Sequence, residues 1–181
     1  MCRVIVPNTY VKKVQAPLIF LAGPVKNAPN WRDVAIKFIL SQDQEVVVAD
    51  PRKKVSRISK QHLLDGEDGF FPIQRAWERH YLDVASRTGA ILFWLPKAKT
   101  HDCRKAYGAN TRLELGECIT NYRHDRSVRF CLGSDGSFEG LDRISYDLSL
   151  DAPDKIILGS LEDTCLEALR LALKKRKLRS R

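Results

Sequence analysis

The stretch Asn110-Thr111-Arg112-Leu113-Glu114-Leu115-Gly116-Glu117 puts a carboxylate where a sheet-based site would use one. It follows an apolar run, Ala90-Ile91-Leu92-Phe93-Trp94-Leu95, and a polar loop, and its pattern predicts a helix start. A buried strand, a loop and a helix opening around Glu114 bring that carboxylate to the carboxyl edge of a sheet. Open α/β sheets bind their ligands at that edge. Gly116, two residues on, would let backbone or ligand come close. The same residues also fit a capping arrangement, with Asn110 or Thr111 as N-cap and Glu114 in a first turn favoured by the helix dipole. One reading makes Glu114 a group for ligand chemistry; the other makes it a helix stabiliser.

The elements that must position it follow from the rest of the chain. Leu18-Ile19-Phe20-Leu21-Ala22 is a short apolar run closed by Gly23-Pro24, a strand followed by a turn. Asn30 caps a helix with Asp33 three residues on, and Trp31, Val34, Ala35, Phe38 and Ile39 form its apolar stripe. Glu45-Val46-Val47-Val48-Ala49 is a second strand, without alternation, as in a sheet covered on both faces, and ends at Asp50-Pro51. Residues 51–72 read as a long loop: basic from Arg52 to Lys60, then acidic and glycine-rich at Asp65-Gly66-Glu67-Asp68-Gly69, without the ligand spacing of an EF-hand.

Pro72 suits a helix start, and Ile73, Trp77, Tyr81, Val84 and Ala85 give that helix a buried stripe to about Arg87. Strand three is Ala90–Leu95, and the helix after Asn110 reaches about Asn121. Strand four is Ser127–Leu132, stopped by Gly133, and strand five is Lys155–Leu158. Ser160 caps a last helix through about Lys175, with Leu161, Cys165, Ala168, Leu169 and Ala172 inward. Alternating strands and helices mean a parallel sheet with right-handed crossovers. The expected fold is a flavodoxin-like, Rossmann-like α/β three-layer sandwich with a five-stranded parallel sheet, one domain over residues 1–181.

Composition narrows the function. A chain of 181 residues with 44% hydrophobic content can bury a real core. No apolar run approaches the roughly 20 residues that span a membrane, and Met1–Pro7 is too soon interrupted for a signal peptide, so a cytoplasmic protein is expected. Cys2, Cys103, Cys118, Cys131 and Cys165 are scattered and odd in number, which favours reduced thiols over disulfides. Neither they nor His62, His80, His101 and His124 show metal-ligand spacing, so no metal site and no cofactor are expected. Lys174–Arg181 carries six positive and no negative charges, two thirds of the formal excess of +9. It reads as a nucleic-acid tail or as a solvated helix end; the absence of interleaved aromatics favours the second.

Phe20-Leu21-Ala22-Gly23-Pro24, Asp50-Pro51-Arg52, Trp77-Glu78 and Leu113-Glu114-Leu115-Gly116 stand in one order along the chain. Together they resemble the nucleoside 2-deoxyribosyltransferase family, in particular its divergent "like" branch, over residues 17 to about 120. The resemblance implies a flavodoxin-like fold, homo-oligomers, and exchange of the base on a 2'-deoxynucleoside or hydrolysis of a nucleotide's N-glycosidic bond. It implies Glu114 as nucleophile and Glu78, where the family more often has Asp, as the carboxylate that handles the base. Six positions before the nucleophile the family has an acidic sugar-binding residue. Gly108 stands there in this chain, which leaves the sugar contact to Asn110 or Asp102 or removes it.

The remaining residues carry paired readings. Glu78 is a general acid or a helix residue bridged to Arg75 or Arg79. Gly23-Pro24 is the floor under a sugar or a plain turn. Trp94, with Phe93, walls a base pocket or fills the core. Arg52, beside Asp50, is a phosphate ligand or a solvated loop charge, and Thr111 and Arg112 could join a phosphate pocket. The leading expectation is a nucleoside transferase. The alternatives are a nucleoside 5'-monophosphate N-glycohydrolase and a non-catalytic nucleotide- or nucleic-acid-binding module.

Overall fold

Every residue of Leu18–Ala22 and of Ala90–Leu95 is buried, and consecutive side chains enter two different cores. This is why the runs show no polar alternation: helices cover both faces of the sheet. The computed structural model describes residues 3–7, 11, 14–52, 70–100 and 106–174. The elements, in chain order, are β1 (Val4–Ile5), β2 (Leu18–Ala22), α1 (Trp31–Gln42), β3 (Val47–Ala49), α2 (Phe70–Thr88) and β4 (Ala90–Leu95). They continue with α3 (Ala109–His124), β5 (Phe130–Ser134), α4 (Leu141–Asp151), β6 (Ile157–Leu158) and α5 (Leu161–Leu173).

The six strands form one sheet in the order β1-β3-β2-β4-β5-β6, with every pair parallel. Without β1 this is the expected five-stranded, flavodoxin-like order. The expected strand count was one short. β1 is only two residues long and is recognisable by its pairing, Val4 with Val48 and Ile5 with Ala49, not by a run of its own. The direction of chain progression reverses between β2 and β4, which are neighbours from Ile19↔Ala90 to Ala22↔Phe93. Their carboxyl ends therefore flank the crevice where a doubly wound sheet holds ligands.

On one face, Phe20, Phe93, Leu95 and Phe130 pack against Trp77 and Tyr81 of α2, Leu115 and Ile119 of α3, and Leu148 of α4. On the other, Ile19, Leu21, Leu92 and Trp94 pack against Trp31 and Ile39 of α1 and Cys165 and Leu169 of α5. The stripe of α1 is rotated from the expected one. Arg32, Ala35, Ile36 and Ile39 point inward, while Val34 is 55% exposed. Helix α4 was not expected; Leu141, Ile144 and Leu148 carry its helical spacing among polar residues. Among the described residues no helix is long and apolar enough to cross a membrane. Cys118, Cys131 and Cys165 are free and buried.

Gly133 does not stop strand four. β5 runs through it to Ser134, and its missing side chain is what lets the layers close. A Cβ there would lie 2.0 Å from Thr164 Oγ1 and 2.9 Å from the Trp94 ring. Gly133→Ala is expected to lower stability by roughly 1–3 kcal/mol through overpacking. Combining it with Thr164→Ala should recover part of that loss. Urea melts of the single and double variants check both statements; a neutral Gly133→Ala would contradict the close approach of α5 to β5.

Candidate active site

Helix α3 begins one turn earlier than the Glu114 motif suggests. Gly108 is its N-cap, with φ at 67°, so Asn110 and Thr111 already lie inside the first turn and no side chain caps it. Glu114 sits in the second turn, and the first turn holds no acidic residue. The dipole reading of Glu114 is therefore displaced by the structure. Gly108 has its own reason to be glycine: the left-handed backbone, and a Cβ that would come within 3.2 Å of Pro24 and 3.0 Å of the Phe138 ring. An acid at this place would have to displace both neighbours.

Glu114 and Glu78 converge. α2 and α3 cover the same face of the sheet, and Arg75, one turn before Glu78, lies between the two carboxylates. Its Nη1 donates to Glu78 Oε2 and to Glu114 Oε1, each at 3.4 Å. The two oxygens can be no further apart than twice that distance, a ceiling that includes the roughly 5–5.5 Å carboxyl spacing of retaining glycosidases. Glu78 also accepts from Gln74 Nε2 at 2.9 Å. The side chains of Glu78 and Glu114 are 16% and 12% exposed, so both are largely but not fully buried.

Burial, then the neighbouring charge of Glu78, raises the Glu114 carboxyl to a pKa of about 7; Arg75 and Arg32 pull the other way. Glu114 therefore keeps its proton to a higher pH than an exposed carboxyl. Arg75 was in view from sequence only as a local partner of Glu78. Its reach to Glu114, 39 residues away, is tertiary and had no sequence signal.

The turn after β2 closes the carboxyl end of that strand. Gly23 and Pro24 are buried, and Gly23 has φ at 151° with Trp94 O 2.4 Å from where its Cβ would be. Arg32 donates to Gly23 O at 2.6 Å and to Pro24 O at 2.8 Å. Arg32 is only 2% exposed, and burial lowers its pKa to about 10 despite the offsetting charge of Asp50. Sequence reading missed it. The available signal was an arginine at a stripe position of α1, in register with Ala35, Ile36 and Ile39.

The other expected ligands are distributed as follows. Asp50 is fully buried at the end of β3 and holds Arg52 through both of its oxygens. Arg52 spends its remaining donors on Asn30 and Asp33, which also occupies Asn30 with side-chain partners instead of a capping box. Trp94 is 6% exposed in the core beside α1 and α5, on the face opposite α2 and α3, and not in a base pocket. Thr111 is buried and Asn110 is exposed. Arg112 donates to the carbonyls of Tyr107 and Glu139 and stacks on Phe138. Gly116 faces open space, with nothing near its missing side chain, so close approach does not explain it. Asp102, the basic residues from Lys53 to Lys60, the acidic segment 65–69 and the tail beyond Lys174 lie outside the described residues.

A cleft of about 450 Å³ opens further along the sheet, at the ends of β5 and β6, lined by Ser134, Asp135, Asp142, Ser145 and Ile157 among others. It contains neither carboxylate. The carboxylate pair is the better candidate for chemistry, because it couples two ionisable groups where the sheet reverses its order. Among the described residues no group of three or more His, Cys, Asp or Glu side chains is placed to hold a metal ion. No protein-family model matches the chain, and no curated protein matches its sequence.

The raised pKa of Glu114 has a thermodynamic consequence. Between about pH 4.5 and 7 the folded state holds a proton on Glu114 that the unfolded state has released, so stability falls as pH rises through that window. The shift corresponds to a loss of up to about 3 kcal/mol. Glu114→Gln should remove this slope and be the relatively more stable form at high pH. Urea melts of both proteins at about pH 5 and about pH 8 measure the difference. An unchanged difference between the two proteins across that range would contradict the burial of an ionisable Glu114.

Proposed function

We propose that the protein is an N-glycosyl transferase of the nucleoside 2-deoxyribosyltransferase type, acting on a small nucleoside through Glu114 and Glu78. The observation that carries this reading is the pair itself: two carboxylates of unlike environment, both held against the Arg75 guanidinium beside the crevice between β2 and β4. Such a pair can divide the work of breaking a glycosidic bond. The motif order from Gly23-Pro24 through Glu114 supports the same chemistry.

In this mechanism the pair holds one proton, which passes from Glu114 to Glu78 as substrate binds, and the ionised Glu114 oxygen attacks C1' of the sugar while the N-glycosidic bond breaks. The bonding pair leaves with the base, and Glu78 delivers a proton to that nitrogen. The result is a sugar ester on Glu114 and an ionised Glu78. An incoming base then attacks C1', the ester bond returns its electrons to Glu114, and Glu78 takes up the proton that the new base loses. Two inversions leave the anomeric configuration unchanged. Water in place of the second base gives hydrolysis.

The monophosphate alternative draws on the basic loop Arg52–Lys60, with Thr111 and Arg112. Arg52 is bound to Asp50, Asn30 and Asp33, and Lys53 to Lys60 lie outside the described residues. Base release from a nucleoside 5'-monophosphate but not from the nucleoside would favour that alternative.

Incubation with a 2'-deoxynucleoside and a different free base should yield the exchanged nucleoside. The rate should fall as pH rises above about 7, where the pair loses the proton that the leaving base needs. Glu114→Gln should retain the fold and lose exchange by several orders of magnitude, on the order of 10³ or more. Glu78→Gln should slow poor leaving bases more than good ones. Wild-type exchange in Glu114→Gln would end the assignment.

A further inference from the structure

We propose that the Arg75 guanidinium is an internal occupant of the substrate's place: it fills the gap between Glu78 and Glu114, and a substrate enters that gap only as Arg75 swings out. This rests on the assignment of the pair as the reacting carboxylates.

The geometry sets Arg75 and substrate in competition. A single nitrogen, Nη1, makes both contacts, 3.4 Å from Glu78 Oε2 and 3.4 Å from Glu114 Oε1. The reaction makes the same demand on the same two groups. C1' must come within about 3–3.5 Å of the attacking Glu114 oxygen. The leaving nitrogen, one bond away, must come within hydrogen-bond reach of Glu78, about 2.6–3.2 Å. Substrate atoms that meet both conditions claim the space of Nη1. Glu78 has no second oxygen to offer, because Oε1 already accepts from Gln74 Nε2 at 2.9 Å. Oε2, the oxygen that Arg75 covers, is the one left for the base.

The occupant also has the matching charge. With one proton on the pair, Glu78 and Glu114 together carry one negative charge, and Arg75 balances it. Cleavage of a glycosidic bond builds positive charge at the sugar carbon. A planar cation against the two acids therefore stands where the reaction develops one.

Arg75 is held loosely enough to leave. Both contacts are long for charge-assisted hydrogen bonds, and its side chain is 38% exposed. It has no further hydrogen-bond partner among the described residues. Arg52 shows the opposite arrangement, meeting Asp50 Oδ2 at 2.9 Å and 2.7 Å and also binding Asn30 and Asp33. Long, partly exposed ion pairs contribute little, so the swing costs little.

The first test needs no nucleoside. Arg75→Ala vacates the gap and keeps α2, since alanine is the best helix former. Guanidinium chloride at sub-denaturing concentration, against sodium chloride at equal ionic strength, should shift the Glu78 and Glu114 carboxyl-carbon resonances saturably in Arg75→Ala. In the unaltered protein the tethered occupant should weaken that binding roughly tenfold or more. No saturable shift in Arg75→Ala, or equal binding in both proteins, overturns the proposal.

The second test uses pH profiles with a nucleoside. The profile of kcat/KM reports the free protein and that of kcat the complex. The charged groups acting on Glu114 are Glu78, Arg75 and Arg32. Loss of the Arg75 cation should move the falling limb of kcat/KM up by roughly half to one pH unit. The limb of kcat should stay in place, because Arg75 has already left in the complex. KM should fall roughly two- to fivefold. Limbs that move together, or a KM that rises, overturn the proposal. If Arg75→Ala does not fold, the Arg75 Nε–H resonance of the unaltered protein decides. It should reach the position of an exposed arginine as nucleoside saturates, and a resonance unmoved at saturation overturns the proposal equally. Failure of the transferase reading would show differently, as an absence of base exchange while guanidinium still binds the vacated gap.

Discussion

Two carboxylates drawn to one guanidinium are the interaction on which the rest of this structure turns. Glu78 and Glu114 would repel each other if both were ionised without Arg75 near them, and burial makes that repulsion harder to screen. The protein answers by letting one of them hold its proton up to about neutral pH. That choice sets a pair of acid and base functions apart within a few ångströms, at a cost in stability that rises with pH.

The sheet exists, in functional terms, to bring these groups together. α2 and α3 reach the same face because β3, β4 and β5 are parallel, and the crossovers β3–α2–β4 and β4–α3–β5 advance in the same direction with the same hand. Close layer packing depends on small residues at a few contacts. Gly133 admits Thr164 and Trp94, and Gly108 admits Phe138 and Pro24. Arg32, Asp50 and Arg52 tie the ends of β2 and β3 to α1 by charge as well as by packing.

Much of this was legible in the sequence, for physical reasons that also mark where legibility stops. Ala90–Leu95 was read to the residue because a doubly covered strand is a continuous apolar run with polar residues on either side. Strand four was ended two residues short, at Leu132 instead of Ser134, since Gly133 signals a break in sequence but serves packing in space. Two-residue β1 is defined only by its pairing. The apolar pattern misplaced the stripe of α1 because it holds no place for Arg32, whose partners, Gly23 O and Pro24 O, are backbone atoms that no motif shows. Glu114 and Glu78 were found through motif order. Their meeting at Arg75 is a contact across 39 residues and could come only from the fold.

The most direct test of the central claim is the mass of the intact protein shortly after mixing with a 2'-deoxynucleoside in the absence of an acceptor base, followed by peptide mapping. The account predicts a covalent increment of one deoxyribosyl group, mapped to the peptide containing Glu114 and absent in Glu114→Gln. Base exchange without any such adduct, or an adduct that maps to Glu78, would contradict it.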